Sequence, residues 1–306
     1  MLGILTGFAV ILGIIWAGYA AAVTGIVKGD QRRVLNNMSF YVALPALLFD
    51  VLHDSDPRVL LSPVILITTA AAVLAAGLYL LISRLRFQQD LASATLGATS
   101  AGYVNSNNLG LPVAIYILGD AAYVAPLILV QVMFYAPVIL AILESTRGNK
   151  AGFWRAILRA LKNPVIVASI LGFAAALFKV EVPEIIMAPV EMLGAASIPM
   201  VLLSFGISLQ GQRALEPGSG RAAVLTGSAI KLLVMPAIAW ALSIAFGLSA
   251  HEVFVATIIA ALPTAQNVYN YAATYRRAEI QVRDTVFITT FASLPVVAVL
   301  ALLLAS

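Results

Sequence analysis

The chain has 306 residues, 61% of them hydrophobic and only 10% charged, with a formal net charge of +4. A soluble domain carries about 25% charged residues, so this composition describes an all-α polytopic membrane protein and leaves no room for a separate soluble domain. There are no cysteines, which excludes disulfides and thiolate metal sites. The two histidines, His53 and His251, fall at helix ends, which argues against a multi-histidine metal site or a buried Ser-His pair.

Hydropathy predicts ten transmembrane helices, at about 2–23, 34–53, 61–83, 92–119, 122–144, 163–178, 186–210, 222–246, 251–274 and 284–305. The first begins at Leu2 with no Lys or Arg before it, so it lacks the basic region of a cleaved signal and is expected to be retained. The sixth is short, with an alternative start near Trp154. Loops after spans 1, 3, 5, 7 and 9 hold all but three of the 18 basic residues. These are Lys28, Arg32 and Arg33; Arg84 and Arg86; Arg147, Lys150, Arg155, Arg159 and Lys162; Arg213 and Arg221; and Arg276, Arg277 and Arg283. Only Arg58 and Lys179 lie on the other side, and Lys231 lies within a span. The positive-inside rule then puts those five loops in the cytoplasm and both termini outside an inner or plasma membrane. Topology accounts for the net charge, and no nucleic-acid partner is required.

The two halves share their punctuation. Pro45 in span 2 and Pro199 in span 7 are each followed by an apolar run. Span 4 is interrupted by Asn105, Ser106, Asn107, Asn108, Gly110 and Pro112. Asn105 lies about 13 residues, roughly 20 Å of helix, into the bilayer. Span 9 is interrupted at Pro263, followed by Thr264, Gln266 and Asn267. Each half holds five spans, an odd number, so the second half enters the membrane with opposite orientation. The expected organisation is two inverted five-helix repeats, 1–144 and 163–306, joined by a basic cytoplasmic linker at 145–162.

Irregular backbone at mid-membrane depth survives only where protein or a watery cavity covers it. Pro112 and Pro263 each remove a backbone donor, and the neighbouring amides offer both donors and acceptors. If the broken helices cross, half-helix N-termini meet near the midplane and suit an anion. The bland alternative is a pair of proline-kinked helices whose amides bind their neighbours. Spans 4 and 9 hold no carboxylate between Ala92 and Gly119 or between Val253 and Thr274, which favours an organic anion over a bare cation.

Intramembrane charge supplies the coupling candidates. Lys231, near mid-depth in span 8, could hold an anionic solute or balance a carboxylate; a structural pair or snorkelling is the alternative. Asp50 lies five residues after Pro45, as Ser204 lies five after Pro199. It is a candidate proton acceptor or cation ligand, or else an outer-rim acid beside His53, Asp54 and Asp56. Glu144 and Asp284 are expected at the cytoplasmic interface. Pro45, Pro126, Pro137 and Pro236 read as kinks, and Tyr269, Tyr271 and Tyr275 as packing residues. Asp120 has no partner acid at depth, so an intramembrane enzyme is not expected.

The run from Asn105 to Pro112 and the run from Leu262 to Tyr275 resemble the crossover segments of the auxin efflux carrier family. The stretches 42–49, 197–209 and 291–297 also resemble its pattern, so the likeness covers essentially the whole chain. The resemblance implies two inverted repeats with helices 4 and 9 crossing at their prolines, an architecture similar to bile-acid symporters and sodium–proton antiporters. It implies a scaffold domain at about 1–53 and 163–210 and a transport domain at about 61–144 and 222–306. It further implies elevator-type carriage, by efflux, of small organic acids: auxin in plant members, malate or malonate in bacterial ones. An Asn that contacts the carboxylate in the family matches Asn105; on the second crossover, Gln266 and Asn267 both remain candidates. The short linker departs from the long central loop of the larger plant carriers, and the compact length suggests a bacterial member. The resemblance allows a homodimer and implies no cofactor, with proton or sodium coupling open. A sodium-coupled organic-anion symporter of the bile-acid type is the alternative.

Overall fold

The computed structural model describes residues 2–27, 31–54, 62–146, 164–210, 215 and 220–304. The linker expected at 145–162 lies outside the described residues apart from its first two. In chain order the helices are α1 (Leu2–Val23), α2 (Gln31–His53), α3 (Pro63–Phe87), α4a (Leu91–Gly102), α4b (106–118), α5 (121–145), α6 (Pro164–Phe178), α7 (Glu184–Ser208), α8 (Arg221–Ala245), α9a (Ala250–Ala261), α9b (Gln266–Tyr275) and α10 (Glu279–Leu304). Of these, α2, α3, α7, α8 and α10 are long and apolar enough to cross a membrane. Among the described residues the β structure consists of one antiparallel bridge, Val104 with Thr264.

The helices begin and bend where their sequence dictates. Asp90 caps α4a by accepting from the N–H groups of Ala92 and Ser93. Ser249 and Glu252 form a reciprocal capping box on α9a. Among the described residues six turns widen with π-type bonding: Ser83–Phe87, Ala114–Leu118 and four more at Ser39–Ala43, Ser106–Gly110, Gln131–Tyr135 and Ile230–Val234. Each of the last four ends two residues before a proline: Pro45, Pro112, Pro137 and Pro236. Proline has no N–H to donate, and its ring presses on the carbonyl four residues back. A wider turn relieves both problems without ending the helix.

α1 lies along α7, and α2 lies between α6 and α7. α3 packs on α4a, α8 and α9a, α10 packs on α8 and α9a, and α4b touches both α1 and α7. The α1–α7 contact is made at backbone distance. A Cβ added at Gly18 would strike the Leu203 carbonyl, and one added at Gly206 would strike that of Ile15. Small residues at such positions let apolar helices associate by close packing where water supplies no driving force.

Every residue from Ala94 to Gly102 in α4a and from Val253 to Ala261 in α9a is buried. These half-helices are therefore enclosed on all sides. Large apolar side chains such as Trp16, Ile185, Met192 and Leu303 stand exposed on α1, α7 and α10, a surface suited to hydrocarbon. Asp284, expected at the cytoplasmic interface, is fully buried within the protein, where its carboxylate finds partners.

Candidate functional site

The two helix breaks meet. α4a ends at Gly102 with Tyr103 extended, and α9a ends at Ala261 with Leu262 extended. Asn105 N–H donates to the Pro263 carbonyl at 2.8 Å, and Ala265 N–H donates to the Tyr103 carbonyl at 3.2 Å. Side chains satisfy much of what remains. Gln131 of α5 donates through Nε2 to the Val104 carbonyl (3.0 Å) and accepts from Ser106 Oγ (2.9 Å). Thr264 donates from Oγ1 to the Ser100 carbonyl (2.6 Å) and from N–H to Thr289 Oγ1 (3.2 Å). Lys231 Nζ donates to the Ala260 carbonyl at 2.8 Å, near the C-terminal end of α9a. Backbone groups freed by the two breaks thus find partners in a place where water is scarce.

A cavity of about 620 Å³ opens beside this crossing. Its inner wall is made by Asn105, Ser106, Asn107 and Asn108 at the start of α4b and by Gln266, Asn267 and Asn270 on α9b. Arg32, Asn36 and Phe40, spaced four residues apart, present one face of α2 to it. Arg283, Phe287, Thr290 and Phe291 do the same from α10, and Phe205 and Ser208 close it from α7.

Its electrostatics favour negative charge. Among the described residues no Asp or Glu lines the cavity, whereas Arg32 and Arg283 do. Both α4b and α9b start at the cavity, so each turns its positive end toward it. The Asn105 side-chain oxygen accepts from Asn108 N–H at 3.1 Å and caps α4b. No side chain caps α9b, whose N-cap residue is Ala265. Asn108 Nδ2 donates to Gln266 Oε1 at 3.3 Å and ties the two segments together. Arg283 is held by the buried Asp284, with Nη2 at 2.8 Å and Nε at 2.9 Å from the same oxygen. The other Asp284 oxygen accepts from Leu215 N–H at 2.9 Å.

Of the residues singled out from sequence, the structure brings Asn105, Ser106, Asn107, Asn108, Gln266 and Asn267 together on the cavity wall. Gly110, Pro112, Pro263 and Thr264 shape the crossing but do not line the cavity. Gly110 leaves room for Val124 and Leu262, which a Cβ there would approach at 3.1 and 3.3 Å. Lys231 and Asp50 also lie off the cavity wall. Lys231 is fully buried against Ala260 and Met235, and Asp50 sits near Asp54 and Glu191 toward the other end of α2.

Sequence reasoning missed several lining residues. Arg32 was assigned to a loop but lies in the first turn of α2, and Arg283 lies in α10 rather than before it. Tyr269, read as packing, lines the cavity. The legible signal was spacing: Arg32, Asn36 and Phe40 form a single polar-to-aromatic stripe at the start of an otherwise apolar helix. Gln131 could have been noticed as the one amide within span 5.

Comparison with known proteins gives a consistent picture. A family model described as membrane transport protein matches residues 4–301. An uncharacterized transporter of Methanocaldococcus jannaschii is 24% identical over 298 residues, covering 94% of this chain and 95% of that one. A Rhizobium meliloti protein provisionally named a malonate transporter is 26% identical over 310 residues, covering 96% and 93%. Auxin efflux carrier component 3a of Oryza sativa is 33% identical over 117 residues, covering 36% of this chain and 18% of the rice protein.

Proposed function

This chain belongs to the auxin efflux carrier family of membrane transport proteins, and from that premise we propose that it is a secondary carrier of small organic anions, not an enzyme. The observation that carries the reading is the crossover cavity: amides, two positive half-helix ends and two arginines surround it, and among the described residues no acid lines it. The Rhizobium meliloti relative's name points to the same class of solute.

In this reading a carboxylate docks at the crossing. Amide donors of Asn105 and of Gln266 or Asn267 replace its hydration, and the N-terminal N–H groups of α9b add a fixed positive potential. Such preformed donors suit a charged solute because they are already desolvated and oriented.

The fold is read as ten spans in two inverted repeats, with α1, α2, α6 and α7 as scaffold and the remaining helices as the transport domain. One feature of the packing supports elevator-type movement. The side chains that hold the crossing together belong to α4, α5, α8, α9 and α10. The site can therefore travel as a unit past α1, α2, α6 and α7. The cavity reaches the ends of α2, α7 and α10 that carry Arg32, Gln210 and Arg283. With the positive-inside assignment that end is cytoplasmic, so the site loads from inside. An inside-negative potential then drives the anion outward, by about 2.3 kcal/mol per charge per 100 mV. The Lys231 amine already donates to a carbonyl near the C-terminal end of α9a, where a coupling cation would otherwise be attracted, which supports sodium-independent carriage.

The test is thermal stabilisation of purified protein by a panel of organic acids, with and without sodium, followed by uptake into proteoliposomes. A ligand that binds only the folded state raises the melting temperature. Stabilisation by carboxylates without sodium, together with flux of the same acids, is expected. Stabilisation by sodium alone would overturn the reading in favour of a sodium symporter, and binding without flux would indicate a receptor.

A further inference from the structure

We propose that Arg32 sets the charge of the solute: it receives a second anionic group, so that the cavity selects dianions over monoanions of the same length. This rests on the reading that one carboxylate docks at the crossing.

The cavity is graded from end to end. Thr289 marks the level of the crossing, because its hydroxyl accepts from Thr264 N–H. Arg283 lies six residues earlier on α10, roughly 9 Å along the helix axis, with Phe287 between them on the wall. On the α2 wall Arg32 likewise stands at the outer end, with Asn36 one turn and Phe40 two turns further in. Guanidinium groups therefore face the outer end of a bound solute and the amides of the crossing its inner end. That order fits a short carbon chain with an anionic group at each terminus.

The two arginines are not equivalent. Arg283 is committed to the buried Asp284, which orients it and offsets its charge. Arg32 is half-buried, and among the described residues no carboxylate pairs with it. Arg32 lies in the first turn of α2, near the positive end of the helix. The guanidinium and the positive helix end together attract an anion at the mouth, and a guanidinium is suited to grip a carboxylate through two hydrogen bonds.

The experiment compares dissociation constants for two matched pairs, succinate with butyrate and adipate with hexanoate. Wild type, Arg32→Gln and Arg32→Lys are titrated at neutral pH in detergent. Wild type should prefer the dianion of at least one pair by about tenfold, the worth of a charge-assisted contact at a part-buried site. Arg32→Gln should lose that preference, its dianion affinity falling more than its monoanion affinity, with a melting temperature close to wild type showing that it is folded. Arg32→Lys should keep part of it. Equal binding of monoanion and dianion by wild type, or a preference that survives in Arg32→Gln, overturns the role of Arg32 and leaves the organic-anion reading standing. Absence of binding by all four acids overturns both.

Discussion

In the proposed reading Asn105 does two jobs, and substitution can separate them. Its side-chain oxygen caps α4b through Asn108 N–H at 3.1 Å, and the residue lines the cavity, where we propose that its amide nitrogen meets the solute. Aspartate caps a helix as well as asparagine does, whereas alanine does not, at a cost of about 1 kcal/mol. Asn105→Asp should therefore melt close to wild type, and Asn105→Ala should melt lower. Binding should follow a different order. Alanine removes one donor, worth about 0.5–1.5 kcal/mol or up to roughly tenfold in affinity. Aspartate places a carboxylate beside the bound one. Two unit charges about 4 Å apart repel by roughly 4 kcal/mol at an effective dielectric of 20, close to a thousandfold. The stability order is thus wild type, Asp, Ala, and the affinity order wild type, Ala, Asp. Both are read from melting curves and titrations of the purified variants with one organic acid near pH 8. If Asp and Ala rank the same way in both measurements, or if Asn105→Asp binds as wild type does, then Asn105 does not divide its work in this way.

Three further outcomes are expected. Gln131→Met removes the bonds to the Val104 carbonyl and Ser106 hydroxyl and should destabilise the protein by about 2–4 kcal/mol; an unchanged melting temperature would show that the break holds without it. Lys231→Met deprives the Ala260 carbonyl of its partner at 2.8 Å, a loss of about 1.5–3 kcal/mol offset in part by removing a buried charge; stability should fall with solute affinity unchanged, and the reverse pattern would put Lys231 in the binding machinery. Asp90 gives a pH test: burial alone would raise its pKa, but hydrogen bonds from Ser93 and Ala92 and the charge of Arg277 hold it below the ordinary carboxylate value. The unfolded state then takes up the proton first, so the stabilisation is complete above a pH of about 4 and is lost as pH falls through the native value. Melting temperatures of wild type and Asp90→Ala should differ at neutral pH and converge in acid; a constant gap would refute the assignment.

Much of the site was legible in the residue order. Amides from Asn105 to Asn108 and at Gln266 and Asn267, placed deep in apolar segments, pointed directly to the wall of the cavity. Prolines at 45, 137 and 236 were read as kinks, and each follows a widened turn. Charge was harder to read. Arg32 and Arg283 resemble any cation at a helix end, and only the face that packing turns inward makes them part of a cavity. The depth of Lys231 was evident but its partner was not, since a carbonyl freed by a break in another helix leaves no mark on the lysine's own segment. The burial of Asp284 was not evident for the same reason: its partners are its neighbour Arg283 and the backbone of Leu215.

By itself the sequence determined that this chain is helical and membrane-embedded, where its helices break, and that the broken segments contain no acid. These are local properties: the length of an apolar run, the missing N–H of a proline, the polarity of a side chain at depth. Only the tertiary structure decided which broken ends meet and which charges face the space between them. Thr264 reaches Ser100 across 164 residues of chain, and Asn105 reaches Pro263. Freed backbone groups in a dry interior must take whatever partner packing brings within 3 Å or so, and no local pattern in the chain specifies that partner.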